Sequence, residues 1–467
     1  MPLATRLERL YSLGLIPMTT DATFPDLRSE VHAFRAANPT VDYVDLICLD
    51  IPGHFYGKRY PLDMLEKIAA GSPLKLPQNC ILLGVQGGVY PIGRYCFNDG
   101  DPDVPRRLLP GTLKPMSWEG RPLGQMLITS DGTEAPIAFE PRQVLAQVVK
   151  RLQQRGIHPV VAFELEFYLF DAKLADGLPQ FPHDPLTDDA DDQSCMHIDR
   201  LSRFSDVLHE MVRTTREQGV DANVITAELG PGQFEINFAH SKDPLQAADW
   251  SALFCRSTRG VAIKHGYRAS FMSKPHLEAP GSGMHVHISL YDGDGNNLLD
   301  RDQRRPLRHA VAGCLELLPH CMPLFAANHN AFRRFGSTGN SASKASWGFE
   351  NRDACVRIPE SDSHNLRIEH RVAGADANPY LVLAAILSAM EYGLDARREP
   401  IASLNEDLNS GVDFPMDMHS AIAAMEAHPV LIDKLGREFV YVYCENKRQD
   451  HLAFMHAISA REYRWFL

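Results

Sequence analysis

The stretch Val161–Phe170 reads Val-Ala-Phe-Glu-Leu-Glu-Phe-Tyr-Leu-Phe. Phe163, Leu165, Phe167 and Leu169 alternate with the two acids, the pattern of a strand buried on one face. Glu164 and Glu166 then project together from the other face, about 7 Å apart, and repel unless water or a cation lies between them. Taken alone, an amphipathic edge strand with a wet face explains them. Three further stretches repeat the construction. Glu228 and Glu235 flank Gly230-Pro231-Gly232, a predicted hairpin turn that brings them near each other. His285 and His287 share one strand face, and so do Glu369 and Arg371. Several buried carboxylates cannot all stay ionised unpaired, and divalent cations neutralise them most simply. Oxygen ligands with one imidazole suit Mg2+ or Mn2+ better than Zn2+. Beyond residue 330 arginine becomes dense, with Arg333, Arg334, Arg352, Arg357, Arg367 and Arg371. Its rigid fork fits carboxylate and phosphate. The chemistry suggested is a phosphate passing between cations and guanidiniums.

The elements that must carry these groups follow from periodicity. Residues 3–40 read as amphipathic helix, Val41–Ile51 as a strand and Leu62–Ala70 as a helix. Gly, Pro and Asp punctuate short apolar runs from residue 98 to 136, Leu123–Thr129 among them, which predicts a small β-rich domain ending near Pro136. A helical stripe from Val144 to Leu152 opens a second unit. Helices are expected over Leu201–Gly219, Leu245–His265, Leu307–Ala327 and Tyr380–Tyr392. Asp188, Asp189, Asp191 and Asp192 read as a solvated loop, since no glycine-turned Ca2+ spacing is present.

Composition sets limits. At 467 residues the length suggests two to three domains, and 44% hydrophobic with 23% charged residues is ordinary for a globular protein. A net charge of −12 argues against general affinity for nucleic acid or anionic membrane. No run of 18 apolar residues occurs, Met1–Ile16 lacks signal-peptide order, and nine scattered cysteines predict reduced thiols in a cytoplasmic protein. Walker, G-x-G-x-x-G and H-E-x-x-H motifs are all missing.

Five motifs in order carry a family likeness: Phe163-Glu-Leu-Glu-Phe, Glu228 with Glu235, Gly281-Ser-Gly-Met-His-Val-His, Asn351-Arg with Arg357-Ile-Pro, and Arg367-Ile-Glu-His-Arg ahead of Asn378-Pro-Tyr-Leu. Together they resemble the glutamine synthetase family, type I. The resemblance implies an α+β fold: a small N-terminal β-grasp-like domain (residues 1–136) and a large catalytic domain (137–467) whose curved antiparallel sheet is flanked by helices. It implies Glu166, Glu228 and Glu235 as ligands of one metal, and Glu164, His285 and Glu369 as ligands of a second that holds ATP phosphates. It further implies Arg334 on the glutamate α-carboxylate, Arg371 near its γ-carboxylate, Arg352 on the transferring phosphoryl group and Gly281 on the substrate amino group. His287, Ser289, Arg357 and Arg367 fall at the nucleotide. The implied reaction joins the γ-carboxylate of L-glutamate to an amine through a γ-glutamyl phosphate, with ATP as co-substrate and Mg2+ or Mn2+ as cofactor. The implied assembly is a homo-oligomeric ring, hexamer or dodecamer, each site completed by a neighbour's N-terminal domain.

Departures from the ammonia-using members follow. The aspartate that binds ammonium falls near Gln86 in Gly84–Tyr90, and the flap glutamate falls at Asn340. Without either anion there is little to draw in and deprotonate NH4+. Pro280 replaces an asparagine, and no tyrosine lies in Asp395–Asp413 for adenylylation. These changes resemble the γ-glutamylpolyamine and γ-glutamylamine synthetases, which use organic amines, with Gly87, Gly88 and Tyr90 giving a roomier acceptor pocket. An ammonia-dependent glutamine synthetase and a non-catalytic relative are the alternatives.

Overall fold

In a computed structural model, residues 26–131, 137–175, 178–183, 195–336 and 344–467 are described. The first 25 residues, the Asp188–Asp192 tract, Asn340 and the boundary at Pro136 lie outside them.

A helix over Leu27–Ala37 leads into six strands: β1 (Tyr43–Leu49), β2 (Phe55–Pro61), β3 (Leu74–Pro77), β4 (Asp103–Leu108), β5 (Lys114–Pro115) and β6 (Leu123–Ser130). They form one sheet in the order β2-β1-β6-β4-β3, with β5 on β6 and β1 parallel to β6. β6 is buried at every position and β1 at all but the first, so these read as near-continuous apolar runs. The helix Leu62–Ala69 returns the chain between β2 and β3.

The larger sheet has eight strands: β7 (His158–Asp171), β8 (Ala222–Ala227), β9 (Gln233–Phe238), β10 (Tyr267–Ser270), β11 (Met284–Tyr291) and, after the short β12 (Lys344–Ala345), β13 (Trp347–Phe349), β14 (Val356–Ile358) and β15 (Ile368–His370). Their order is β13-β14-β15-β11-β7-β9-β8, with β10 on β7. All pairs are antiparallel except β13 with β14. A two-stranded ribbon joins β12 to β16 (Val412–Asp413).

One face of β7 is wholly apolar, with Phe163, Leu165, Phe167 and Leu169 at most 1% exposed. The helix Pro244–Lys264 covers it, Phe254 meeting Phe167 edge-on at 6.0 Å. Behind lies the apolar helix Pro379–Ala396, begun by an Asn378 cap and Pro379 at its first turn. It packs on the helix Arg301–Phe325 at Gly313 and Gly393; a Cβ on Gly313 would lie 2.1 Å from the Ala389 carbonyl oxygen. Only glycine allows that approach. The Asn378 side chain also donates to the Asp50 carbonyl at 2.9 Å, tying the smaller sheet's first loop to the core of the larger. The predicted helix over Leu201–Gly219 is two, Ile198–Arg203 and Ser205–Glu217, broken at Phe204.

Candidate active site

The uncovered face of the larger sheet carries the chemistry. On β7 it presents Glu164, Glu166 and Tyr168 in turn, because side chains alternate. Register sets Glu166 opposite Glu235 and Tyr168 opposite Gln233 on β9. On the other side His285 of β11 opposes Glu164, and His287 opposes Glu369 of β15. Arg357 of β14 opposes Glu369 in turn. Adjacent strands lie about 4.8 Å apart, so these opposed side chains converge without any unusual backbone.

The two imidazoles and two carboxylates at the centre are close. His285 Nδ1 lies 3.4 Å from Glu164 Oε2, and its Nε2 3.8 Å from Glu166 Oε1. His287 Nε2 lies 3.1 Å from Glu164 Oε1. Its Nδ1 accepts from Arg367 Nε at 3.2 Å. Arginine is always protonated, so this contact leaves the His287 Nδ1 lone pair to Arg367.

Two groups could hold an ion: Glu164 with Glu235 and His285, and Glu164 with His287 and Glu369, each with ligand atoms within 4.8 Å of one another. The donors are hard oxygens with imidazole, the set that suits Mg2+ or Mn2+. Electrostatics agree with a cation site. Burial and the charges of Glu164, Glu166 and Glu228 push Glu235 up to about 9. Burial and the Glu228 charge push Glu166 to about 7. Glu228, at the hairpin, is also raised, first by burial. Burial opposes ionisation of Glu164 as well, yet the His285 and His287 contacts outweigh it and hold its carboxyl well below the usual range. Burial, aided by Arg371, lowers His285 to about 4, so it is neutral and able to ligate. Crowded, half-protonated carboxylates of this kind are what a dication relieves.

The arginines surround this basin. Arg357 Nη1 donates to Glu369 Oε2 at 2.6 Å, and Arg371 Nη1 to Glu369 Oε1. Glu369 is 1% exposed and lowered despite its burial, by His285, His287 and both arginines. Arg334 is buried and donates to the carbonyls of Val372 at 2.8 Å and Arg371 at 3.1 Å. It packs under Gly281 and Gly283; a Cβ on Gly281 would lie 2.5 Å from its Cγ. Arg352 is exposed, and its charge acts on Glu228. Ser289 is buried and donates to the Leu366 carbonyl at 3.0 Å.

Reading the sequence by pairs missed several groups. Gln233 stands two before Glu235 and Tyr168 two after Glu166, so the same alternation carries both onto the site face. Gln233 donates to the Gly281 carbonyl at 3.0 Å. Fully buried Arg200 donates to the carbonyls of Glu228, at 2.6 Å, and Gly230, and so clamps the Gly-Pro-Gly turn; nothing in its helical context signals this. Glu350, with a left-handed φ of 49°, takes the second fork of Arg357 at 3.1 Å. Asp450, from the helix Arg437–Met455, accepts from the Val85 N–H at 2.9 Å and the Tyr90 hydroxyl at 3.1 Å. The loop without an acid of its own is thus anchored on one 365 residues away, already paired with Lys447 at 3.3 Å.

The family described as "Glutamine synthetase, catalytic domain" matches residues 138–466. Gamma-glutamylputrescine synthetase PuuA of Escherichia coli (strain K12) is 38% identical over 452 residues, covering 94% of each chain. Glutamate–isopropylamine ligase of a Pseudomonas species is 29% identical, covering 77% of this chain and 79% of its own. The solved structure of apo GmaS superposes with a TM-score of 0.79 at 25% identity, covering 92% of this chain and 98% of that one. On the family match and the identity to these relatives, the chain belongs to the glutamine synthetase family of ligases.

Proposed function

We propose that the protein is an ATP-dependent ligase that joins the γ-carboxylate of L-glutamate to an organic amine through a γ-glutamyl phosphate. The observation that carries this reading is the convergence of Glu164, Glu166, Glu235, His285, Glu369 and Arg357 on one sheet face, with Arg371 on Glu369 and Arg334 under Gly281. A carboxylate is a poor acyl donor because oxide is its leaving group; phosphorylation supplies a better one.

Divalent cations held by Glu166, Glu228 and Glu235, and by Glu164, His285 and Glu369, would neutralise the phosphates and polarise the terminal one. Arg357 and Arg367, beside His287, hold the nucleotide. Arg334 takes the α-carboxylate, and Gly281 with Glu166 the α-ammonium group. Arg371 directs the γ-carboxylate, whose oxygen attacks the terminal phosphorus as ADP leaves. Arg352 balances the charge that builds on the phosphoryl oxygens. An amine nitrogen then attacks the acyl carbon, inorganic phosphate departs with the C–O electron pair, and the proton shed by the nitrogen passes to the departing phosphate or to solvent.

An organic amine is favoured over ammonia by the acid-free Gly84–Tyr90 loop, by Asn340 at the flap position, and by relatives whose names carry putrescine and isopropylamine. The second reading, ammonia-dependent glutamine synthesis, is favoured by the archaeal and bacterial glutamine synthetases among the relatives, such as that of Halobacterium salinarum at 32% identity. We place residues 1–136 as the unit that completes a neighbour's site in a hexameric or dodecameric ring in the cytoplasm. No helix among the described residues is long and apolar enough to cross a membrane. Phosphate release with glutamate, ATP and Mg2+, across ammonium and a panel of mono-, di- and polyamines, tests the reading. At least one organic amine is expected to outperform ammonium, and ammonium outperforming all of them would end it.

A further inference from the structure

Gln233 is 1% exposed and has no role in the chemistry above. Its Oε1 accepts from the Gly230 N–H at 2.9 Å, and its Nε2 donates to the Gly281 carbonyl at 3.0 Å and lies 3.5 Å from Glu166 Oε2. An amide N–H can only donate and a carbonyl can only accept, so the orientation of the side-chain amide is forced. One side chain therefore joins the turn that carries Glu228, the carboxylate of Glu166 and the segment at Gly281. Its cross-strand partner Tyr168 is fully buried and donates to the neighbouring carbonyl, Pro280 O, at 2.8 Å. Two consecutive carbonyls are thus each held by one donor from the sheet face. The same Glu166 oxygen accepts the Gly283 N–H at 2.8 Å.

A carbonyl oxygen has two lone pairs. Gln233 uses one on Gly281 and leaves the other, and the Glu166 carboxylate lies within 3.5 Å of the same Gln233 Nε2. A carbonyl and a carboxylate gathered about one amide nitrogen are the complement of a primary ammonium group. We propose that Gln233, with Tyr168, is the positioning pair that fixes the Gly281 carbonyl and Glu166 as the recognition site for the α-ammonium group of the amino-acid substrate. This rests on the reading that glutamate binds at Gly281. Neither residue touches the reacting atoms; both act through the carbonyls they hold.

The test compares glutamate with glutarate, which lacks only the α-ammonium group. Both are titrated calorimetrically into the full-length protein with Mg2+ and ADP, using wild type, Gln233→Met and Tyr168→Phe. Wild type is expected to bind glutamate more tightly than glutarate. Gln233→Met should shrink that ratio by about tenfold or more, the usual weight of hydrogen bonds to a charged group. Tyr168→Phe should shrink it less, and the KM for ATP should stay within about twofold. A loss of general structure would weaken both ligands together and leave the ratio unchanged. An unchanged ratio in both variants, with wild type discriminating normally, overturns the inference alone. Wild type that does not bind glutamate overturns the reading beneath it and the inference with it. Should Gln233→Met not fold, the ratio in Tyr168→Phe decides.

Discussion

Replacing Glu235 with glutamine should make the metal-free protein less sensitive to alkaline pH while removing activity. In the fold Glu235 is pushed to about 9 from an ordinary 4.5, so between those values the folded chain keeps a proton that the unfolded chain has lost. A raised acid of this kind stabilises the fold less as pH rises, by about 1.4 kcal/mol per unit. From pH 6 to pH 8 the wild type should lose about 3 kcal/mol through this group. Unfolding entropy of roughly 2.1 cal/mol/K per residue gives about 1 kcal/mol/K for 467 residues, so the loss is a Tm drop of about 3 °C. Glu166, pushed to about 7, adds to the drop in the lower half of the range. Glutamine keeps the shape and cannot ionise. Scanning calorimetry in EDTA at pH 6 and pH 8 reads the difference: the variant should lose about 3 °C less than wild type. Mn2+ should then restore the wild type at pH 8 more than at pH 6, because ligands must shed their protons to bind. Equal drops in the two proteins would mean that Glu235 is already ionised at pH 6, and the crowding argument would fall.

Three further outcomes follow from the contacts. Glu369→Ala leaves Arg357 and Arg371 without their shared buried anion, and should cost about 3–5 kcal/mol of stability as well as orders of magnitude in turnover; denaturant unfolding beside Glu369→Gln, which keeps a hydrogen-bonding partner, should show the glutamine variant markedly more stable. Arg200→Lys removes the fork that holds the carbonyls of Glu228 and Gly230, and should weaken Mn2+ binding by about 10- to 100-fold in titration, as loss of a supporting contact to a ligand does; unchanged affinity would separate the hairpin clamp from the metal site. Asp450→Asn loosens the anchor of Val85 and Tyr90, and should raise the KM for the amine while leaving that for ATP unchanged; equal rises in both would remove the Gly84–Tyr90 loop from acceptor selection.

The site was legible where strand periodicity governs it. Alternation about Glu164 and Glu166 put both acids on one face, and the Gly-Pro-Gly turn put β8 beside β9. Pairing between distant strands was not legible, because register is fixed by tertiary contacts rather than by local pattern. Hence His287, rather than His285, stands opposite Glu369, and Gln233 and Tyr168 passed unnoticed among apolar neighbours. Arg200 and Asp450 act through backbone groups 28 and 365 residues away, for which sequence carries no signal. In the smaller sheet the strands at Tyr43–Leu49 and Leu123–Ser130 fell close to their apolar runs. Between them the segment from Cys80 to Tyr90 carries the end of a short 3-10 turn and an irregular loop, since Gly84, Gly87 and Gly88 interrupt it and its carbonyls at Leu82 and Leu83 are satisfied by Asn446.

The γ-glutamyl phosphate is the step on which the proposed chemistry depends, and an isotope tests it directly. Glutamate carrying 18O in its γ-carboxylate, turned over with ATP, Mg2+ and the preferred amine, should deliver one labelled oxygen to each inorganic phosphate released, read by mass spectrometry. Phosphate released without the label would mean that the carboxylate never attacked phosphorus.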